Sequence, residues 1–325
     1  MSLHLFSPDQ YPQLTEQLLA HHQPINTPFL GWFLLTGRYE ADHLGRAKLY
    51  SSHPDPNYLP IDDPVVLVTN SFHRLRIFVS TEAYLNQYKF SDEILQCADE
   101  SNWATKAPLL FPDDAERQAL YEKSVAVLEP ILLKAMEDME IFIHGASLLW
   151  SPLLNSIFNI GFQAPCKTFY KPVSSVGEPE ATKYTVDVVT DQDVEEVVKR
   201  NKIDYDPIYV KDCCKYSVAL RDGDKLIAWA FTHRDMPIGG LHVIPEYRRQ
   251  GLASVVMSHL TDKHAKLYRS VYPGRNTFVS AIIEVTNPAS MALFTSLGFE
   301  NTGLGVCWTL CKSRDASSEF LPRTK

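Results

Sequence analysis

From residue 184 onward the chain switches between two hydrophobic periods. Residues 184–189 (YTVDVV) alternate as a strand does, and Thr190 or Asp191 stands where it can cap a short helix running to Lys199. Residues 215–220 and 225–232 are apolar-rich runs on either side of Asp222-Gly223, a pair suited to a tight hairpin turn. A third strand is predicted over 239–244, stopped by Pro245. From Gly251 to Arg269 the period changes, and Leu252, Val256, Leu260 and Leu267 fall on one face of a helix. A strand over 277–285, a helix over 288–297 and a last strand complete the series. Strand, helix, hairpin, strand, helix, strand, helix, strand is the order of a mixed α/β sheet with helices packed on it.

The preceding half repeats part of this order. Residues 139–162 predict a strand and then a helix ending in Ile160-Gly161-Phe162, much as residues 277–299 end in Leu297-Gly298-Phe299. Matching ends point to an internal repeat with a degenerate first copy, although a Gly after an amphipathic helix is also an ordinary way to stop one. Between the halves lies a Pro/Ser/Gly/Glu-rich stretch, PVSSVGEPEAT. The expected division is a domain over 1–171, a linker over 172–183, a second domain over 184–313 and a polar tail over 314–325.

Composition narrows the class. A chain of 325 residues can hold two cores, and 45% hydrophobic with 22% charged residues is ordinary for a soluble globular protein. A formal charge of −8 disfavours broad binding to nucleic acid or anionic membranes, which needs clustered Lys and Arg. The N-terminus lacks the pattern of a secretory signal, and no apolar run approaches the roughly 20 residues of a membrane span, so a cytoplasmic protein is expected. Cys97, Cys166, Cys213, Cys214, Cys307 and Cys311 form neither a CxxC pair nor a zinc-like array; they are expected as reduced thiols, and no metal is assigned.

The candidate chemistry sits in Arg248-Arg249-Gln250-Gly251-Leu252-Ala253, between a predicted strand and a predicted helix. Successive backbone N–H groups at a helix N-terminus favour a phosphate. Gly251 lets the backbone approach closely, Ala253 leaves room beside the helix, and two arginines add positive charge. The plainer alternative is a solvated turn that merely starts a helix. As a bare pattern the motif is common; its place after a strand and before an amphipathic helix gives it weight.

With residues 241–253 (LHVIPEYRRQGLA) and 287–299 (NPASMALFTSLGF), the C-terminal half resembles the Gcn5-related N-acetyltransferase (GNAT) superfamily in its FR47-like branch. A looser resemblance to glycine N-acyltransferases rests on residues 307–312 (CWTLCK) and on a degenerate half preceding an intact one. The resemblance implies tandem GNAT-like domains and an acyl-CoA cosubstrate, acetyl-CoA or another. It places the pyrophosphate on Gln250, Gly251, Leu252, Ala253 and Ser254, with Arg248 and Arg249 at the rim. Leu241 and Val243 would pair with the pantetheine through their backbones, with Asn287, Ser290 and Phe294 near it.

Acyl transfer to an amine needs a proton acceptor and relief of the leaving thiolate. Glu284, three residues before Asn287, and His242, on the strand beside the expected thioester, are the candidate bases; each has a bland alternative, as a solvated carboxylate and a packed strand histidine. Two departures from the family pattern weaken catalysis: Phe294 stands where many members carry a Tyr acid, and Gly239 and Gly240 stand where relatives often carry acidic residues. Trp32, Phe33, Tyr205 and Tyr209 are candidate pocket aromatics, more simply core, and His21-His22 is expected at the surface. The expected function is N-acylation of a small amine or amino acid. The alternatives are acetylation of a protein N-terminus or lysine, and a non-catalytic CoA-binding protein.

Overall fold

The computed structural model describes residues 2–35, 48–71, 74–98, 109–135, 140–203 and 205–314. Of the tail expected over 314–325, residues 315–325 lie outside the described residues. The first half carries strands β1 (His4–Phe6), β2 (Lys48–Ser51), β3 (Val66–Ser71), β4 (Arg74–Val79), β5 (Ile141–Ser147) and β6 (Phe158–Pro172). Its helices are α1 (Tyr11–His21), α2 (Thr27–Leu35), α3 (Glu82–Leu85), α4 (Asp92–Ala98), α5 (Ala115–Ala135) and α6 (Ser151–Ile157). The second half runs β7 (Thr185–Asp187), α7 (Val194–Arg200), α8 (Pro207–Cys214), β8 (Ser217–Asp222), β9 (Lys225–Thr232), β10 (Ile238–Val243), α9 (Leu252–Val271), β11 (Phe278–Glu284), α10 (Pro288–Ser296), β12 (Glu300–Asn301) and β13 (Val306–Ser313).

The pattern of residues explains the second-half elements. Gly223, at φ +60, lets β8 and β9 close as a hairpin. Thr190 and Asp193 form a capping box ahead of α7. Asp206 accepts from the N–H groups of Ile208 and Tyr209 and starts α8, a helix the hydrophobic period does not reveal. Helix α10 ends at Gly298, which takes φ +76 as helix-stopping glycines do.

All the described strands join one mixed sheet in the order β1-β2-β3-β4-β5-β13-β6-β11-β10-β9-β8-β7, with β12 also on β6. Each half contributes three antiparallel steps, then a parallel pair across a long helix: β4 with β5 across α5, and β10 with β11 across α9. A short helix and a final strand follow each parallel pair. The final strands are exchanged. Strand β13 lies against β5 of the first half, β6 lies against β11 of the second, and the two pair antiparallel with each other from Val306↔Cys166 to Ser313↔Phe158. Neither half completes a sheet from its own strands.

One expected correspondence fails in detail. Leu297-Gly298-Phe299 follows a helix, but α6 stops at Ile157 and Phe158 is already extended, so Ile160-Gly161-Phe162 lies within β6. The repeat rests on strand order and not on those matching tripeptides.

Among the described residues, apolar side chains form three clusters. One surrounds Trp229, Phe231, Leu260 and Tyr268 in the second half, and another Phe111, Leu128, Trp150 and Leu154 in the first. The third joins Leu14, Leu18, Phe29 and Trp32 to Phe78. Trp32 is thus core, with Phe33 packed against the same cluster, while Tyr205 and Tyr209 rest on the second-half cluster. His22 is not at the surface: it is fully buried, shares a 2.8 Å hydrogen bond from Nε2 with the Leu59 carbonyl, and burial lowers its pKa to about 4. His21 beside it is exposed. All six cysteines are free thiols, and all but Cys97 are buried. Among the described residues no helix is long and apolar enough to cross a membrane.

Candidate functional site

The site begins where β10 leaves β11. Their register is a single pair, Ile238↔Ala281, after which the strands part. Against β9, the register of β10 shifts between Gly239 and His242, and Gly240 adopts φ +58 there, the geometry of a bulge that bends the strand away. Past the bulge, Ile244 N–H donates to the Ile227 carbonyl at 3.0 Å, so the alternate backbone groups at Val243 and Leu241 face away from β9, into the gap. The Arg248 guanidinium folds back, its Nε donating to the Val243 carbonyl at 3.0 Å.

At the wide end of this gap the chain turns through a 3-10 segment, Pro245–Tyr247, and two left-handed residues, Arg249 at φ +60 and Gly251 at φ +76. Helix α9 then starts with no side chain capping it. Its first backbone bond joins Val255 N–H to the Gly251 carbonyl, which leaves the N–H groups of Leu252, Ala253 and Ser254 without intrahelical acceptors. A Cβ at Gly251 would meet nothing within 4 Å, so the space beside the turn is open. Val243, Tyr247, Arg248, Arg249, Gly251, Leu252, Ala253 and Ser254 line a cavity there. Tyr247 is held by a 2.7 Å bond from its hydroxyl to Asp222, and Tyr184 reaches Gln250 at 3.5 Å. Orphan donors, a 20-residue helix dipole and exposed Arg249 make this a fit for a phosphate group.

The remaining predicted residues separate. His242 is half-buried and stacks on Trp229, ring centroids 4.7 Å apart, with Nε2 buried and without a hydrogen-bond partner among the described residues. Burial is the main cause that lowers its pKa, followed by the charges of Arg248 and Arg200. Glu284 ends β11 and is bound by Lys202 Nζ at 3.0 Å. Asn287 caps α10, its Oδ1 accepting from Ser290 N–H at 3.1 Å, so these two residues hold each other. Phe294 packs in the core between Phe169 and Phe299, at centroid distances of 6.3 and 5.0 Å. Its ring is buried among protein side chains at 4% exposure.

Two faces of the sheet divide the work. Thr232 bonds His264 of α9 on one face. On the other, Trp229 and Phe231 share the face on which His242 stacks, and Glu284 at the end of β11 pairs with Lys202 of the α7–α8 connection. Periodicity passed over His233 on this second face. It sits in the β9–β10 connection, held by His233 N–H to the Pro237 carbonyl and Met236 N–H to the His233 carbonyl. Its ring packs against Tyr205, Tyr209 and Phe231, and Nδ1 shares a 2.7 Å hydrogen bond with the Tyr209 hydroxyl. Gly239 and Gly240 make room for this cluster: a Cβ at 239 would stand 2.5 Å from His233 Nε2, and one at 240 would overlap the Phe231 ring. The Gly-Gly pair is the sequence signal for this cluster, because the two rings occupy the space that side chains at 239 and 240 would need.

Among the described residues of the first half no equivalent turn follows β4. After β4 comes Ser80-Thr81 and then α3, where Glu82 Oε1 accepts from Trp150 Nε1 at 2.7 Å and from Val79 N–H at 3.0 Å. Burial raises this carboxyl to about 7. A cavity lined by Glu82, Arg76, Tyr170 and Phe29 lies beside it.

Residues 218–309 match the family model described as FR47-like protein. No curated protein sequence matches the chain. Among solved structures, a Drosophila protein shares 14% identity, with 95% of this chain and 98% of that one covered at a TM-score of 0.61. This is a likeness of fold over both halves. Looser likenesses, each at a TM-score of 0.44, link the chain to a GCN5-related N-acetyltransferase from Sphaerobacter thermophilus and a GNAT-family acetyltransferase from Colwellia psychrerythraea. Their identities are 13% and 14%, with 95% and 96% of this chain and 94% and 100% of theirs covered. Residues 218–309, which include the splayed strands and the glycine turn described above, are thus similar to the FR47-like family.

Proposed function

We propose that the protein is an acyl-CoA-dependent N-acyltransferase acting on the amine of a small molecule or amino acid. The observation that carries this is the start of α9, where three N–H groups without acceptors adjoin open space at Gly251, directly after strands that part. CoA supplies an acyl group activated as a thioester. The N–H groups of Leu252, Ala253 and Ser254, with Gln250 and exposed Arg249, bind the pyrophosphate by charge-assisted hydrogen bonds. Leu241 and Val243, whose backbone groups face the gap, orient the pantetheine as an added strand would be oriented. Their N–H groups also stand where a donor to the developing oxyanion is most useful. Arg248 fixes the strand end through Val243.

The test is direct. Titration calorimetry with acetyl-CoA should show binding that Gly251→Glu abolishes while the circular dichroism spectrum is kept, because a carboxylate would replace the anion at the turn. Release of free thiol should then follow from an amine panel. Core packing of Phe294 favours a second reading, a CoA-binding protein without turnover, since no phenol is presented there. Binding with no thiol release on any amine would decide for it.

A further inference from the structure

We infer that His233, oriented by Tyr209, takes the proton from the acceptor amine; this rests on the acyl-transfer reading above. The gap between β10 and β11 has its narrow end at Ile238↔Ala281, one residue before Gly239. Pyrophosphate held at the α9 end leaves the thioester to reach this narrow end. There the space that a residue-239 side chain would occupy holds the Nε2 edge of His233.

Competing groups are worse placed or already engaged. His242 lies further along β10, away from the narrow end, and is stacked flat on Trp229. Glu284 is held by Lys202. His233, by contrast, is fixed at three points: the two backbone bonds of its own turn, the aromatic faces of Tyr205 and Phe231, and the Tyr209 hydroxyl on Nδ1. With Nδ1–H donating to Tyr209, the lone pair is left on Nε2, which lies against Gly239 at the narrow end of the gap. The charged and titratable neighbours are Asp235 in the same connection, Arg76 of β4, and Tyr205 and Tyr209 from the α7–α8 side. Burial of the ring keeps it neutral, and so able to accept a proton.

In the step assigned, the amine nitrogen bonds to the thioester carbonyl carbon, the carbon–sulfur bond breaks, and its electron pair leaves on sulfur. The proton lost by nitrogen goes to His233 Nε2, and the thiolate is protonated from solvent. Tyr209 is a positioning residue.

Two measurements decide. The bromoacetyl thioester of CoA places a reactive carbon at the acyl position; Nε2 should displace bromide, and peptide mass spectrometry should find the adduct on His233. This arm requires no turnover. An adduct on His242 or Glu284, or none when the reagent is bound, overturns the assignment. In the second arm, His233→Gln should bind acetyl-CoA as the unaltered protein does but lose about 100-fold or more in kcat, and regain rate as pH rises toward the amine's own pKa. Tyr209→Phe should lose less and leave CoA binding alone. Full rate in His233→Gln refutes the base while acyl transfer stands; failure of the unaltered protein to bind the thioester refutes both.

Discussion

Arg76 of β4 and Asp235 of the β9–β10 connection join guanidinium to carboxylate, tying the first half to the loop that carries His233. Both side chains are largely screened from solvent, at 23% and 11% exposure. Arg76→Met should therefore cost about 2 kcal/mol, the scale of a charged hydrogen bond lost with its acceptor left in place. Urea denaturation measures this. A single transition is expected in both proteins, since the sheet is continuous.

Gly305 tests the exchange of final strands. It enters β13 at φ +101, and a Cβ there would overlap the Cys166 carbonyl on β6. Gly305→Ala should destabilise by about 3 kcal/mol, backbone strain being joined by the collision. The analogous Gly177→Ala, with nothing within 4 Å and no positive φ, should be close to neutral in the same thermal melt.

Glu82 makes stability depend on pH in a definite direction. Its carboxyl titrates near 4.5 when free and near 7 when folded. Below pH 4.5 both states keep the proton and the contribution is complete. As pH rises from there to about 7 the unfolded chain alone releases it, so stability falls by about 3 kcal/mol and then levels. Glu82→Gln, whose amide oxygen can still accept from Trp150, should melt higher than the unaltered protein at pH 8 and equally at pH 4.

At Gly251 the φ of +76 makes any side chain costly although the surroundings are empty. Gly251→Ala should lower stability by about 1 kcal/mol and weaken CoA binding by a larger factor. Equal losses in both would mean that the turn is structural only.

Much of the second half was legible because each element has its own local cause. Asp222-Gly223 closes a hairpin, Leu252, Val256 and Leu260 share a helix face, and Pro245 ends a strand. The glycine turn was legible for the same reason. What escaped was long-range or unperiodic. The pairing of Val306 with Cys166 joins residues 140 positions apart and leaves no mark on either strand's alternation. His233 lies in a turn, where hydrophobic period carries nothing, and its importance follows only from the absent side chain of Gly239. His22 was misjudged because a histidine beside a histidine looks solvated; only the fold brings the Leu59 carbonyl to it.

The placement of β13 between β5 and β6 also governs the order in which the protein can be made. Every other described strand leaves the ribosome before it. Until then β5 presents an open edge in the nascent first half, and β6 has an unfilled side. The growing chain must keep that slot vacant, and shielded from neighbouring nascent chains, for the length of the whole second half.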